Sequence, residues 1–334
     1  MKYKFWVGLS LVLICSIFSV VQAKEELIVY SGRSKSLVDP IIKQFEKENG
    51  IEVQVKYGNT AQLALTLMEE GEKSPADVFW AQDGGALGAI SKNGLFSQLE
   101  SDILSVVPSK FQAAENQDWV ATSGRARVIA YSTKHVKVED LPTSIFDLTD
   151  PKWNSRVGWA PRNASFQSFI TAMRVLFGEE KTENWLLAMK NNGTKSYPKN
   201  TPIIQALAAG DIHVGLPNHY YLLRFKKANS NFPVNQQFFQ SQDVGNLVNV
   251  AGIGILKSSR QAKLAKKLIH YLLSPKAQQY FSSQVFEYAV TDQIIPNQQL
   301  LSLEQLIKES PAIDLSQLND TEGTLKLLQK VGLL

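Results

Sequence analysis

Cysteine is almost absent from this chain: 334 residues contain one, Cys15. Everything after it lacks a disulfide partner, a thiolate metal ligand and a cysteine nucleophile. Long apolar runs are equally scarce. One uncharged run spans Phe5 to Gln22, and no later stretch is long enough to cross a bilayer. Histidine is rare too, with four scattered copies. No H-E-x-x-H, G-x-S-x-G or P-loop pattern occurs, nor a G-x-G-x-x-G following a strand, which argues against an enzyme. There is no internal repeat and no low-complexity tract. A chain of this size folds without covalent staples, because it can bury large cores, and roughly two domains are expected.

The run from Phe5 follows Lys2 and Lys4 and ends in Val21-Gln22-Ala23, a small-residue end suited to cleavage before Lys24. That layout predicts a secretory signal peptide over residues 1–23 and a mature protein outside the cytoplasm. Bulky Ile14 before Cys15 argues against lipid attachment. Removing the leader leaves 33 basic residues against 31 acidic ones, a net charge of +2. So balanced a surface has no general pull toward nucleic acid or membranes.

Strand and helix patterns alternate along the rest. "ELIVY" reads as a buried strand, and the next helix carries Leu37, Ile41 and Phe45 on one face, with Pro40 near its start and Gly50 as its stop. Ile51, Val53, Val55 and Tyr57 alternate as a strand does. "ADVFW", "RVIAYS", "RVGWA", "HVGLP" and "VNVAGIGIL" are further strands, separated by helical stretches such as "SFQSFITAMRVLFG" and "TPIIQALAAG". This order predicts an α/β protein with largely parallel sheets. Two glycine-flanked extended stretches, 123–132 and 245–254, read as crossovers between two lobes. The expected division is 24–124 plus about 250–300 for one lobe, and 125–249 plus about 301–334 for the other. Open α/β sheets bind ligands where strand ends and helix N-termini converge, so a cleft between the lobes is the expected site.

Several residues fall at such places. In "LPNHYYLLRF", Tyr220 and Tyr221 stand together where a helix begins. Paired aromatics are commonly core, but phenolate oxygens also suit a hard cation. Arg125 and Arg127, two apart on a strand, share a face and could grip an anion bidentately or pair with a carboxylate. In "AQDGG", Asp83 could ligate a cation or cap a helix, and Gly84 and Gly85 could offer amides to an anion. Arg33 and Ser34 follow the first strand, as a plain turn or an anion contact.

In this order and spacing, "VYSGRSK", "SPADVFWAQD", "DWVATSGRARVIAYS", "PKWNSRVGWAP", "PNHYY" and "LSPKAQQYF" resemble the ferric-ion-binding proteins of periplasmic iron transporters. Those are type II solute-binding proteins, and the resemblance runs from about Leu27 to the C-terminus. It implies a two-lobed periplasmic binding protein fold, with two mostly parallel sheets flanked by helices and joined by crossover strands. It also implies a ferric ion held in the cleft with a synergistic anion such as carbonate. Tyr220 and Tyr221 match the family's tandem iron ligands. Arg125 matches its anion-side arginine, and Asn163, Ala164 and Ser165 match the helix-start loop that cradles the anion. His219 is expected beside the ligands rather than among them. An inner-membrane ABC iron permease is the implied partner, the periplasm the implied compartment and a monomer the implied state. The chain also departs from the family. Ser34 stands where some relatives keep a histidine ligand, Gln82 where they keep a glutamate, and Ala164 where tyrosine-rich members keep a third phenol. The same fold carries other solutes, so an oxyanion or organic anion bound without iron is the alternative.

Overall fold

Glu26–Ser31 extends as strand β1, with Leu27 and Val29 fully buried, in a computed structural model that describes residues 25–334. The expected leader, with Cys15, lies outside the described residues. Beside β1, strand β2 (Glu52–Tyr57) half-buries Val53, Val55 and Tyr57 and exposes the residues between them, as an edge strand covered on one face does. The two run parallel, and so do β1 and the fully buried β3 (Val78–Ala81). Parallel neighbours need a crossover, and the helices Lys35–Asn49 and Thr60–Glu70 supply it. Pro40 lies inside the first of these, a turn deeper than a helix-start proline, yet it faces solvent. Ser36, whose carbonyl the proline leaves without a helical donor, is also exposed. Gly50 ends that helix in the left-handed conformation, φ 69°, and donates its N–H to the Glu46 carbonyl.

The chain then crosses over. Strand β4 (Val120–Ala126) belongs to the first sheet and β5 (Ile129–Ser132) to the second. The expected single extended stretch breaks at Arg127 and Val128, whose amides donate to the carbonyls of Leu247 and Pro217 instead of a sheet partner. The second sheet runs β7 (Lys195–Ser196), β6 (Val157–Trp159), β8 (Val214–Gly215), β5, β9 (Val234–Gln237). The return strand β10 (Val248–Ile255) is buried throughout and inserts between β3 and β4, antiparallel to both. Each sheet is therefore mixed: three parallel strands are followed by one antiparallel crossover strand, β10 or β5, and then by an outer strand antiparallel to that one, β4 or β9. The fold is the expected two-sheet α/β arrangement.

Each sheet has its own aromatic core. Trp80 and Trp119 are fully buried in the first. Trp159, Phe166, Phe169 and Trp185 pack edge to face in the second. The last segment touches both lobes. The turn Leu315–Asn319 lies on the helix Gly84–Lys92, and the helix Thr321–Lys330 lies on Ala164–Phe177, where the Thr171 and Thr324 hydroxyls meet at 2.7 Å. Among the described residues, no helix is long and apolar enough to cross a membrane.

Candidate functional site

Strand ends and helix starts from both sheets meet around one small cavity of about 30 Å³. Its wall on the first sheet comes from Gln82 and Asp83 after β3, Arg125 on β4 and Asn249 on β10. Across it stand Arg127, Ala164 and Ser165 at one helix start, and Asn218 just before another.

Asn218 is the N-cap of the helix His219–Ala228, but its side chain makes no capping bond to the first-turn amides. The helix thus opens with its positive end uncovered. Tyr220 and Tyr221 occupy that first turn. Their rings stack at 4.5 Å between centroids and 30° between planes. Tyr220 is buried and Tyr221 half-buried. Neither lines the cavity; they follow, two and three residues on, from Asn218, which does. The Arg224 guanidinium lies 4.8 Å from the Tyr220 ring centre and 5.9 Å from that of Tyr221, close enough for cation–π attraction. Burial pushes the Tyr220 phenol above its ordinary value and the Tyr221 phenol adds to that, while the Arg125 charge pulls it back down. The Tyr220 phenol is therefore neutral until a cation displaces its proton.

Both ring nitrogens of His219 are engaged by backbone. Its Nδ1 accepts from the Ala126 amide at 3.2 Å, and its Nε2 donates to the Phe286 carbonyl at 2.7 Å. Burial pulls its pKa down to about 4, so the ring is neutral, with both nitrogens engaged.

The two arginines of the crossover both line the cavity, Arg125 from β4 and Arg127 from the break after it. Arg125 is buried and its Nε has no hydrogen-bond partner. The Gln82 amide satisfies its surroundings in one orientation, accepting from Arg125 Nη1 at 3.3 Å and donating to the Gly32 carbonyl at 3.1 Å. Arg127 donates to the Leu216 carbonyl and reaches Ser165 Oγ at 3.5 Å, with its guanidinium over Phe166 and Phe169. Burial disfavours the charge on Arg127 and the two phenols favour it; a guanidinium so placed remains a cation at neutral pH.

The other expected residues divide. Asn163 caps the helix Ala164–Phe177, its Oδ1 accepting from the Ser165 amide at 3.0 Å and the Ser165 hydroxyl at 2.6 Å. Ser165 lines the cavity and Asn163 stands behind it. Asp83 both lines the cavity and caps the helix Gly84–Lys92 through the Ala86 amide at 2.9 Å; burial pushes its carboxyl up. The glycines after it serve packing. The Gly84 amide donates to Asn249 Oδ1 at 2.9 Å, and a Cβ on Gly85 would lie 2.2 Å from the Leu318 carbonyl oxygen. Ser34 is exposed at a helix start and makes no capping bond. Arg33 is buried behind the cavity wall, its Nη2 2.8 Å from Glu287 Oε2. Glu287 also accepts from the Ser123 hydroxyl at 2.5 Å. Nothing in the sequence singled out Glu287, which lies 254 residues from Arg33, or the cavity-lining Asn249. Among the described residues, no three His, Cys, Asp or Glu side chains gather where one ion could bind them.

The chain matches the bacterial extracellular solute-binding proteins over residues 73–305. It belongs to that family. Solute-binding proteins are carriers rather than enzymes, in keeping with the missing catalytic patterns. Within the family, the chain is 32% identical over 315 residues to the major ferric iron-binding protein of Neisseria meningitidis, covering 93% of this chain and 94% of that one. The iron-bound HitA of Pseudomonas aeruginosa superposes with a TM-score of 0.83 at 31% identity, over 92% of this chain and 99% of that one. A Trichodesmium protein in complex with iron and citrate ligands gives 0.79 at 27%, over 92% and 100%. This protein is thus a solute-binding protein of the kind whose named relatives include periplasmic ferric binders.

Proposed function

We propose that this protein captures ferric ion outside the cytoplasmic membrane, in the periplasm, and delivers it as a monomer to an inner-membrane ABC-type permease. Tyr220 and Tyr221 supply phenolate ligands, and an anion such as carbonate completes the coordination from the Arg125 side. The observation that carries this reading is the phenol pair at an uncapped helix start whose N-cap, Asn218, lines a cavity walled by two buried arginines. Ferric ion is small and hard and prefers anionic oxygen, so phenolate and carbonate suit it and thiolate does not. A trivalent charge lowers phenol pKa values far enough to release both protons at neutral pH. Two arginines in one small cavity would repel a lone cation, so a counter-anion belongs to the site. Arg125, with its unpartnered Nε, and the Ser165 helix start are its donors. Gln82 joins them through Arg125. Bound cargo favours closure by as much as it binds the closed state better than the open one.

A ferric titration of the iron-free protein, with and without bicarbonate and followed in the visible, tests the proposal. A phenolate-to-iron charge-transfer band saturating at one equivalent is expected, and it should vanish in the Tyr220→Phe, Tyr221→Phe double variant. A colourless protein at stoichiometric iron sinks the ferric reading. The second reading, an oxyanion or organic anion bound without iron, is favoured by the same two arginines and by the absence of a third phenol at Ala164. It predicts calorimetric binding of such anions with no metal present.

A further inference from the structure

Glu287 is a buried acid that does not line the cavity. Its carboxylate is 2% exposed, and so is the guanidinium side of Arg33 to within a percentage point. Arg33 Nη2 and Ser123 Oγ both donate to the same oxygen, at 2.8 Å and 2.5 Å. The Glu287 backbone is pinned as well. Its neighbour Tyr288 pairs with Gly124 on β4, each amide donating to the other's carbonyl at 2.8 Å, and Phe286 accepts from His219. Gly124 lies between Ser123, which holds Glu287, and Arg125, which faces the cavity. Burial pushes the Glu287 carboxyl up, but the Arg33 and Arg125 charges with the Ser123 bond outweigh it, so it stays ionised.

Three buried guanidiniums therefore cluster here, Arg33, Arg125 and Arg127, and the Nε of Arg33 and of Arg125 lack partners. We infer that Glu287 sets the anion affinity of the cavity by cancelling the charge of Arg33 behind Arg125. The inference rests on the reading of Arg125 as the anion's donor. Glu287 touches no solute; it is a positioning residue that acts through Arg125. Without its charge the cavity becomes a stronger anion trap, less suited to a cation. A buried ion pair kept for stability alone is a weak explanation, since apolar pairs of similar volume serve as well or better.

The test is isothermal titration of iron-free, chelator-treated protein with inorganic phosphate. Glu287→Gln keeps the shape and removes a negative charge; Arg33→Met removes a positive one; the double variant restores the balance. A unit charge within several ångströms of a buried ligand changes its affinity by roughly tenfold at the effective dielectric of such sites. Phosphate should bind Glu287→Gln about tenfold more tightly than wild type, and Arg33→Met about tenfold more weakly than the double variant. The double variant should lie near wild type. A purely structural role cannot produce opposite shifts that cancel. Equal affinities in all four proteins, or a double variant that follows Glu287→Gln, overturn the inference. If Glu287→Gln does not fold, Arg33→Met against the double variant carries the same comparison. No iron enters this experiment. A wild type without a ferric band but with this ranking would sink the proposed cargo and leave the role of Glu287 standing.

Discussion

The two walls of the cavity treat their polar groups differently. On the first sheet, nearly every group is engaged by the protein itself. Asp83 caps a helix, the Gly84 amide is held by Asn249, Gln82 sits between Gly32 and Arg125, and Arg33 is paired with Glu287. On the second, the helix at His219 begins without a capping bond, and two phenols stand at its first turn. Both walls end in helix starts, so backbone topology alone does not say which one grips a solute. The difference lies in satisfaction: a donor already bonded within the protein has little left to offer, and one left open pays a desolvation cost that a ligand can relieve. The first wall is a bonded frame in which the Nε atoms of Arg125 and of Arg33 behind it stay open, while the second leads into the helix that carries the phenols.

Substitutions can break this contrast. The largest effect belongs to the second wall. Replacing Tyr220 and Tyr221 by Phe should lower ferric affinity by roughly a thousandfold or more, about 4 kcal/mol, measured by competition with citrate. Next comes His219, which bolts the second wall to the first. Its pKa is near 4 in the folded protein against an ordinary 6.5. Between those values the unfolded chain binds a proton that the folded chain excludes, so stability is whole above pH 6.5 and falls as pH drops toward 4. The loss approaches about 3 kcal/mol. In urea melts of iron-free protein, His219→Gln should flatten this part of the pH profile.

Asp83 sharpens the comparison on the first wall. As a helix cap, it predicts that Asp83→Ala costs about 1 kcal/mol in urea denaturation, whereas Asp83→Asn, which caps as well, costs little. Ferric affinity should stay within about threefold for Asp83→Asn; a larger drop would make Asp83 a ligand after all. The smallest effect is expected at Ser34. It is exposed and makes no capping bond, so Ser34→Ala should change stability by less than about 0.5 kcal/mol and leave the ferric titration unmoved.

Much of this was legible in the sequence because local chemistry dictates it. Alternation at Val53, Val55 and Tyr57 marks an edge strand, Gly50 stops a helix, and the glycine-flanked crossovers lie where the chain changes sheets. The phenol pair was visible because it is adjacent in the chain. Less visible was anything that depends on distant segments meeting. Glu287 follows no pattern around it, and its partners lie on β4 and after β1. Gly84 and Gly85 looked like an anion cradle, since a glycine pair at a helix start reads alike whether its missing Cβ admits a ligand or a neighbouring backbone. Here it admits the turn at Leu315–Asn319. Arg127 is as much a wall residue as Arg125, and alternation alone placed both on one face without ranking them.

The pair of hydrogen bonds made by His219 has a mechanical reading. Ala126 is the last residue of β4, and Phe286 adjoins the segment paired with that strand. The imidazole thus fastens the start of the tyrosine helix to the very place where the chain passes between sheets. In any rotation, points near the axis travel least. If the lobes turn about this crossover, Gln82 and Asp83 swing away from Ala164 and Ser165, while Tyr220 and Tyr221 stay close to the pivot. Opening would then strip the lid from the cargo without scattering its anchors, so that release depends on what happens to the phenolates and their anion once water reaches them.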